Sequence, residues 1–166
     1  MIIEGRARVL GDDINSDYII SSRRKRATID ELQLRQFLLE AIDPAFAASV
    51  RAGDILVAGR NFGCGSAMET AVTVILASGI RAVLARTFAR SFYRNAINNG
   101  LVVVECDTAG IAEGHRLRVQ VEAGTSLVKD LVRQVDVAGR PMPEIMQRIL
   151  LRGGLVEFLR AGERFG

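Results

Sequence analysis

Histidine is nearly missing from this chain and cysteine is sparse: among 166 residues there is one histidine, His115, and two cysteines, Cys64 and Cys106. The cysteines form no CxxC pair and are too few for a disulfide framework. With one histidine, the chain cannot assemble a zinc or iron–sulfur site alone, so any metal chemistry would have to come from a partner. No apolar run reaches the roughly 18 to 20 residues that a membrane span needs. The opening Met1-Ile2-Ile3-Glu4-Gly5-Arg6 lacks the basic-then-apolar order of a signal peptide. A cytoplasmic protein, free of membrane, is expected. Strong charge imbalance is missing too: the formal net charge is +3, too mild to imply nucleic acid.

What is present is a globular composition, with 49% hydrophobic and 25% charged residues, at a length that supports a real core. Repeats, linkers and low-complexity stretches do not occur, so a single domain over residues 1–166 is expected. Ile2 to Leu10 alternates as a first strand, and Gly11 to Asp17 is a polar loop of turn formers. Thr28-Ile29-Asp30-Glu31 resembles a capping box opening a short helix through Leu38. Two strand–helix units follow: a strand at 53–58 and helix from Ala71, then a strand at 82–85 and helix from Phe88 to Ile97. Leu101 to Glu105 is another strand. Arg116 to Glu122 alternates strictly, and 126–132 and 133–137 continue an antiparallel layer. Pro143 starts a final helix, broken near Gly153-Gly154 and resumed through Leu159. The order predicts a layered α/β domain.

The stretch Asn61-Phe62-Gly63-Cys64-Gly65-Ser66-Ala67-Met68-Glu69 sits between strand and helix, where glycine-rich turns make anion sites. Ser66 and Glu69 have capping-box spacing, so Ser66 could simply cap the helix. Gly63 and Gly65 would let a ligand approach backbone N–H groups. A serine oxygen there also feels the positive helix end and the amides of Ala67 and Met68. These would favour an alkoxide-like oxygen and make the serine a base or a proton carrier.

Arg60 through Ser66, with Glu69, resembles the signature of the small subunit of isopropylmalate dehydratase, the swivel domain of the aconitase superfamily. Gly11 to Ile20, Thr87 to Leu101 and Gly154 to Phe158 are similar to three further segments of that family, in the right order. The resemblance implies a layered β/β/α swivelling domain. It also implies a large partner subunit that carries a [4Fe–4S] cluster, and a hydroxy-acid substrate. The task would be reversible dehydration and hydration of a hydroxy di- or tricarboxylic acid. Ser66 matches the family's catalytic base, and Asp17 its loop aspartate. A homoaconitase-like or other hydroxy-acid dehydratase subunit, or a non-catalytic regulatory subunit, would share the fold.

The chain departs from the motif at three positions: Ala67 replaces a serine, Met68 an arginine and Thr70 a histidine. In the family that arginine binds a substrate carboxylate. Losing such an anchor costs ~1.5 to 3 kcal/mol unless it is replaced. Arg23-Arg24-Lys25-Arg26 falls in the loop that the family uses to read the substrate's variable group, where Arg23 matches an arginine and Arg24-Lys25 replace Tyr-Leu. A cationic loop could supply the missing charge. Arg23, Arg24, Asp17, Gly65, Ala67 and Met68 are the expected substrate contacts, with Ser66 catalytic and no metal ligand in the chain. Cys64 is expected as a small packed residue, His115 at the surface, and Arg90 and Arg94 as a solvated or subunit-facing stripe.

Overall fold

The strands form where the short apolar runs are. In the computed structural model, which describes residues 1–122 and 124–165, the chain opens with β1 (Ile2–Val9). Four short helices follow: α1 (Ser16–Ile19), α2 (Ser22–Ala27), α3 (Glu31–Leu34) and α4 (Phe46–Ser49). Next come β2 (Ile55–Ala58), α5 (Glu69–Ala77), β3 (Ala82–Ala85), α6 (Arg90–Asn98) and β4 (Val102–Glu105). Strands β5 (Arg116–Glu122), β6 (Thr125–Asp130) and β7 (Val135–Ala138) precede α7 (Glu144–Leu151) and α8 (Leu155–Arg160).

Among the described residues, seven strands join one sheet in the order β4-β3-β2-β1-β5-β6-β7. The seam is β1. Its Ala7, Arg8 and Val9 pair in parallel with Ile55, Leu56 and Val57, while Ile2 to Arg6 pair antiparallel with Gln120 to Arg116. One strand thus serves a parallel half (β1 to β4) and an antiparallel half (β5 to β7) with different segments of its length.

β2 and β3 are buried at every position, as strands covered on both faces must be. Leu56, Ala58, Val83, Ala85 and Val103 face the helices and share a core with Ile75, Phe92 and Ile149. Their neighbours Ile55, Val57, Ala82, Leu84, Val102 and Val104 face the other way and pack with Leu117, Val119, Val121 and Val128. The antiparallel half therefore curls over the parallel half, and the layers are β, β and α, as the resemblance implied.

Several local expectations are corrected. The polar loop ends inside α1, which Asn15 caps by accepting the Asp17 amide at 2.9 Å. The basic run lies on a helix, α2, capped by Ser21. Thr28 does not open a capping box. Its hydroxyl accepts the Asp30 amide at 3.1 Å, and Asp30 is the cap of α3. The helix expected through Leu38 is one turn followed by a 3₁₀ turn at Arg35–Phe37. Pro143 stands just before α7 as its cap. His115 is half-buried, with Nδ1 2.7 Å from the buried Asp130 carboxylate. Burial raises the Asp130 pKa, but the Arg133 and Val132 amides and His115 outweigh it, so the carboxyl stays below its usual range.

Candidate active site

The parallel strands β1, β2 and β3 release three loops at one edge of the sheet. The middle one, residues 59–68, is laced to both neighbours by main chain. The Asp13 amide donates to the Arg60 carbonyl, the Gly63 amide to Ile14, and the Ser16 amide to Cys64, each at 2.8 Å. On the other side the Phe62 amide donates to Thr87 at 3.0 Å and the Ala89 amide to Phe62 at 2.9 Å.

The two glycines serve this packing. Gly63 has φ +79°, and a Cβ there would lie 2.3 Å from the Phe92 ring. Gly65 has φ +87°, and a Cβ would meet the Asn15 side chain at 2.6 Å. Close approach of chain to chain, rather than of ligand to chain, is what these positions require in the structure. Phe62, beside them, packs edge-on against Phe88 and Phe92.

Ser66 does not cap α5. The cap position is Met68, with no side-chain hydrogen bond, and the Glu69 carboxylate accepts from Asn99 at 3.1 Å instead of reaching back. The chain enters the helix two residues later than S-x-x-E spacing suggests, because the turn is held upstream by Ser16, whose hydroxyl donates to the Ser66 carbonyl at 2.7 Å. The Ser66 side chain is exposed, and among the described residues its hydroxyl and the amides of Ser66, Ala67 and Met68 have no hydrogen-bond partner. An uncapped helix start, free amides and a free hydroxyl leave a surface suited to a negative oxygen.

Two elements border the turn. Asp17 on α1 accepts the Ser22 hydroxyl at 2.8 Å and so ties α1 to α2. On α2 the four basic residues diverge. Arg24, expected to face substrate, turns inward: it donates to Glu40 at 2.8 and 3.0 Å and lies 3.7 Å above the Phe37 ring. Its bonds hold the Glu40 carboxyl below the usual carboxylate range. Arg23 is exposed and has no ion-pair partner among the described residues. Lys25, part of the cationic loop but not among the expected substrate contacts, extends to the turn and donates to the Met68 thioether. Helical spacing would have flagged it only once α2 was known to be a helix.

The remaining candidates lie apart or are closed off. Burial pushes the Cys106 thiol up to about 12, so it stays protonated. Cys64 is half-buried in the turn. Arg90 and Arg94 border a shallow cleft of about 380 Å³ with Tyr93 and Met146. A larger cleft, about 640 Å³, lies between α4 and the end of α5 and includes no site residue. No group of three His, Cys, Asp or Glu that could hold a metal ion occurs among the described residues. Among the described residues, the chain's own side chains do not fit a [4Fe–4S] cluster. Among the described residues, no helix is long and apolar enough to cross a membrane.

A curled mixed sheet with a glycine-containing serine turn laced between two neighbouring loops has known counterparts. The aconitase C-terminal domain family matches residues 20–109. A 3-isopropylmalate dehydratase small subunit from Caldicellulosiruptor saccharolyticus is 45% identical over 96% of this chain and 92% of its own length. A small subunit 1 from Methanopyrus kandleri is 43% identical over 96% and 93%. The crystal structure of 3-isopropylmalate dehydratase from Methanocaldococcus jannaschii superposes with a TM-score of 0.91 at 38% identity, covering 98% of this chain and 95% of that one. Aconitase X of Thermococcus kodakaraensis, at 18% identity and a TM-score of 0.52, shares the fold over 84% of this chain and 90% of its own. The chain belongs to the aconitase C-terminal domain family and, within it, to the small subunits of 3-isopropylmalate dehydratase.

Proposed function

We propose that the chain is the small subunit of a 3-isopropylmalate dehydratase-type hydro-lyase, a cytoplasmic enzyme completed by a large subunit. That partner would hold the [4Fe–4S] cluster, which supplies Lewis-acid chemistry at the substrate hydroxyl. The work of this chain is proton transfer and orientation. The Ser66 Oγ takes the proton next to a substrate carboxylate and holds it until rehydration returns it. The helix start at Glu69 and the amides of Ala67 and Met68 stabilise the oxygen while it is negative. Gly65, Ala67 and Met68 supply the wall of the turn. Asp17 and Arg23 stand at the substrate side, and Arg24 acts through Glu40 by fixing α2. The reading is carried by one observation: among the described residues Ser66 has a free, exposed hydroxyl on a turn held chiefly by main-chain bonds to both neighbouring loops.

The basic helix favours a second reading within the same class, a hydroxy acid more acidic than 3-isopropylmalate. The test is partner dependence. The purified chain alone should be colourless and inactive, and anaerobic co-expression with a large cluster-bearing subunit should yield turnover of 3-isopropylmalate or a related hydroxy acid. Turnover by the isolated chain would contradict the reading.

A further inference from the structure

The turn has lost the cation of its motif at position 68, and a cation from elsewhere in the fold stands there. We propose that Lys25 binds a substrate carboxylate in place of the motif's arginine, with Met68 as its seat. The proposal rests on the dehydratase reading and names the residue that anchors the acid.

Consecutive residues on a helix point about 100° apart, so Arg24 and Lys25 face different ways, while Arg23 and Arg26, about 60° apart, share another side. The docking of α2 decides which side faces the turn. Arg24 is drawn to Glu40 and Phe37, and the Asp17–Ser22 bond fixes the helix start. With those two contacts made, Lys25 extends over the residues just beyond Ser66 and its ammonium meets the Met68 sulfur. It is half-buried, and among the described residues no carboxylate pairs with it.

An ammonium carries three donors, and a thioether is a weak acceptor. A partly buried cation so poorly satisfied gains from an anion brought alongside. The carboxylate that follows Met68 in the chain, Glu69, is engaged by Asn99, which leaves the position open to a ligand. Met68 suits this arrangement: its sulfur and methylenes cover the lysine stem without adding charge. An arginine at 68 beside Lys25 would place two cations against each other. Loss of the arginine and gain of the lysine are therefore one exchange across two elements.

The experiment uses the complex with the large cluster-bearing subunit, assayed anaerobically with 3-isopropylmalate and a panel of hydroxy dicarboxylates. Lys25→Met should raise KM roughly ten- to hundredfold, with a smaller fall in kcat and an unchanged melting temperature. Lys25→Arg should stay within a few-fold of wild type. Met68→Arg alone should give no gain, whereas Lys25→Met combined with Met68→Arg should recover most of the lost KM. Added salt should raise KM of the wild type more than that of Lys25→Met. An active complex in which Lys25→Met leaves KM within twofold of wild type overturns the proposal and leaves the dehydratase reading standing. A wild-type complex inactive on every acid overturns that reading, and the proposal with it.

Discussion

The two elements that meet at Ser66 are held by different means. The turn at 59–68 is fixed chiefly through its own backbone: main-chain bonds to both neighbouring loops, bonds to the side chains of Asp12, Ser16 and Thr87, and glycines that clear space for Phe92 and Asn15. Helix α2 is fixed by side chains, chiefly Arg24 on Glu40 and Phe37 and Ser22 on Asp17. A backbone-held turn keeps its shape whatever exposed side chain it carries, so Ser66, Ala67 and Met68 can change chemistry without changing place. A side-chain-held helix can be re-aimed by one substitution. On the proposed reading, the part of the site that would move the proton is held rigidly, and the part that would meet the acid's variable group is adjustable.

The largest expected effect breaks the chemistry and spares the fold. Ser66→Ala should lower kcat of the complex by about 10²- to 10⁴-fold. Because Ser66 caps nothing, the melting temperature of the chain should hold, as for a surface change within about 0.5 kcal/mol. An active Ser66→Ala enzyme would remove the base.

Next comes Gly65→Ala, which attacks the backbone-held element directly. The new Cβ would meet the Asn15 side chain at 2.6 Å in a residue with φ +87°. We expect a loss of about 1 to 3 kcal/mol by denaturant unfolding, with lower activity, because Asn15 also caps α1. A fully stable, active variant would show that the turn is not fixed as described.

The smallest effect is expected on the side-chain-held element. Arg24→Ala should lower the melting temperature by only a few degrees near neutral pH, with a modest rise in KM as α2 loosens. Its pH dependence is the sharper measure. Glu40 has its pKa lowered by Arg24, so the pair stabilises the fold above the ordinary carboxylate range and fades as pH falls through the depressed value. The gap in melting temperature between wild type and Arg24→Ala should therefore close below about pH 4. A gap that stays constant down to about pH 3 would mean the pair contributes nothing. A KM rise as large as that of Lys25→Met would return Arg24 to the substrate.

Much of this was legible in the residues. The strand runs at 82–85 and 116–122 stand where alternation and apolar density put them, because burial on one or two faces writes itself into residues i and i+2. The motif from Arg60 to Ser66, the loop from Gly11 and the segment from Thr87 carried the family. Less legible was what each motif residue does. Gly63 and Gly65 read as openings for a ligand, and Ser66 with Glu69 as a capping box; both readings assume that only local chain matters. Phe92 and Asn15, remote in sequence, take the space at the glycines, and Ser16 and Asn99 take the turn's carbonyl and the glutamate.

The sequence by itself determined the family, the layered α/β order and the position of the serine, since periodicity and motif spacing are properties of neighbours along the chain. Tertiary structure alone decided which cation reaches the turn and which charges are buried. Arg8 occupies an alternating strand that reads as half-exposed, yet it is 7% exposed. It is held there by Asp54 at 3.4 Å, Glu113 at 2.8 Å and the Phe46 ring at 4.4 Å. For Asp54, burial raises the pKa, but bonds from Arg6, the Arg51 amide and Arg8 bring it below the usual range. Lys25 faces Met68 for the same kind of reason. A side chain's direction on a short helix is set by how that helix docks, and the docking partners Glu40 and Asp17 lie in other elements of the chain.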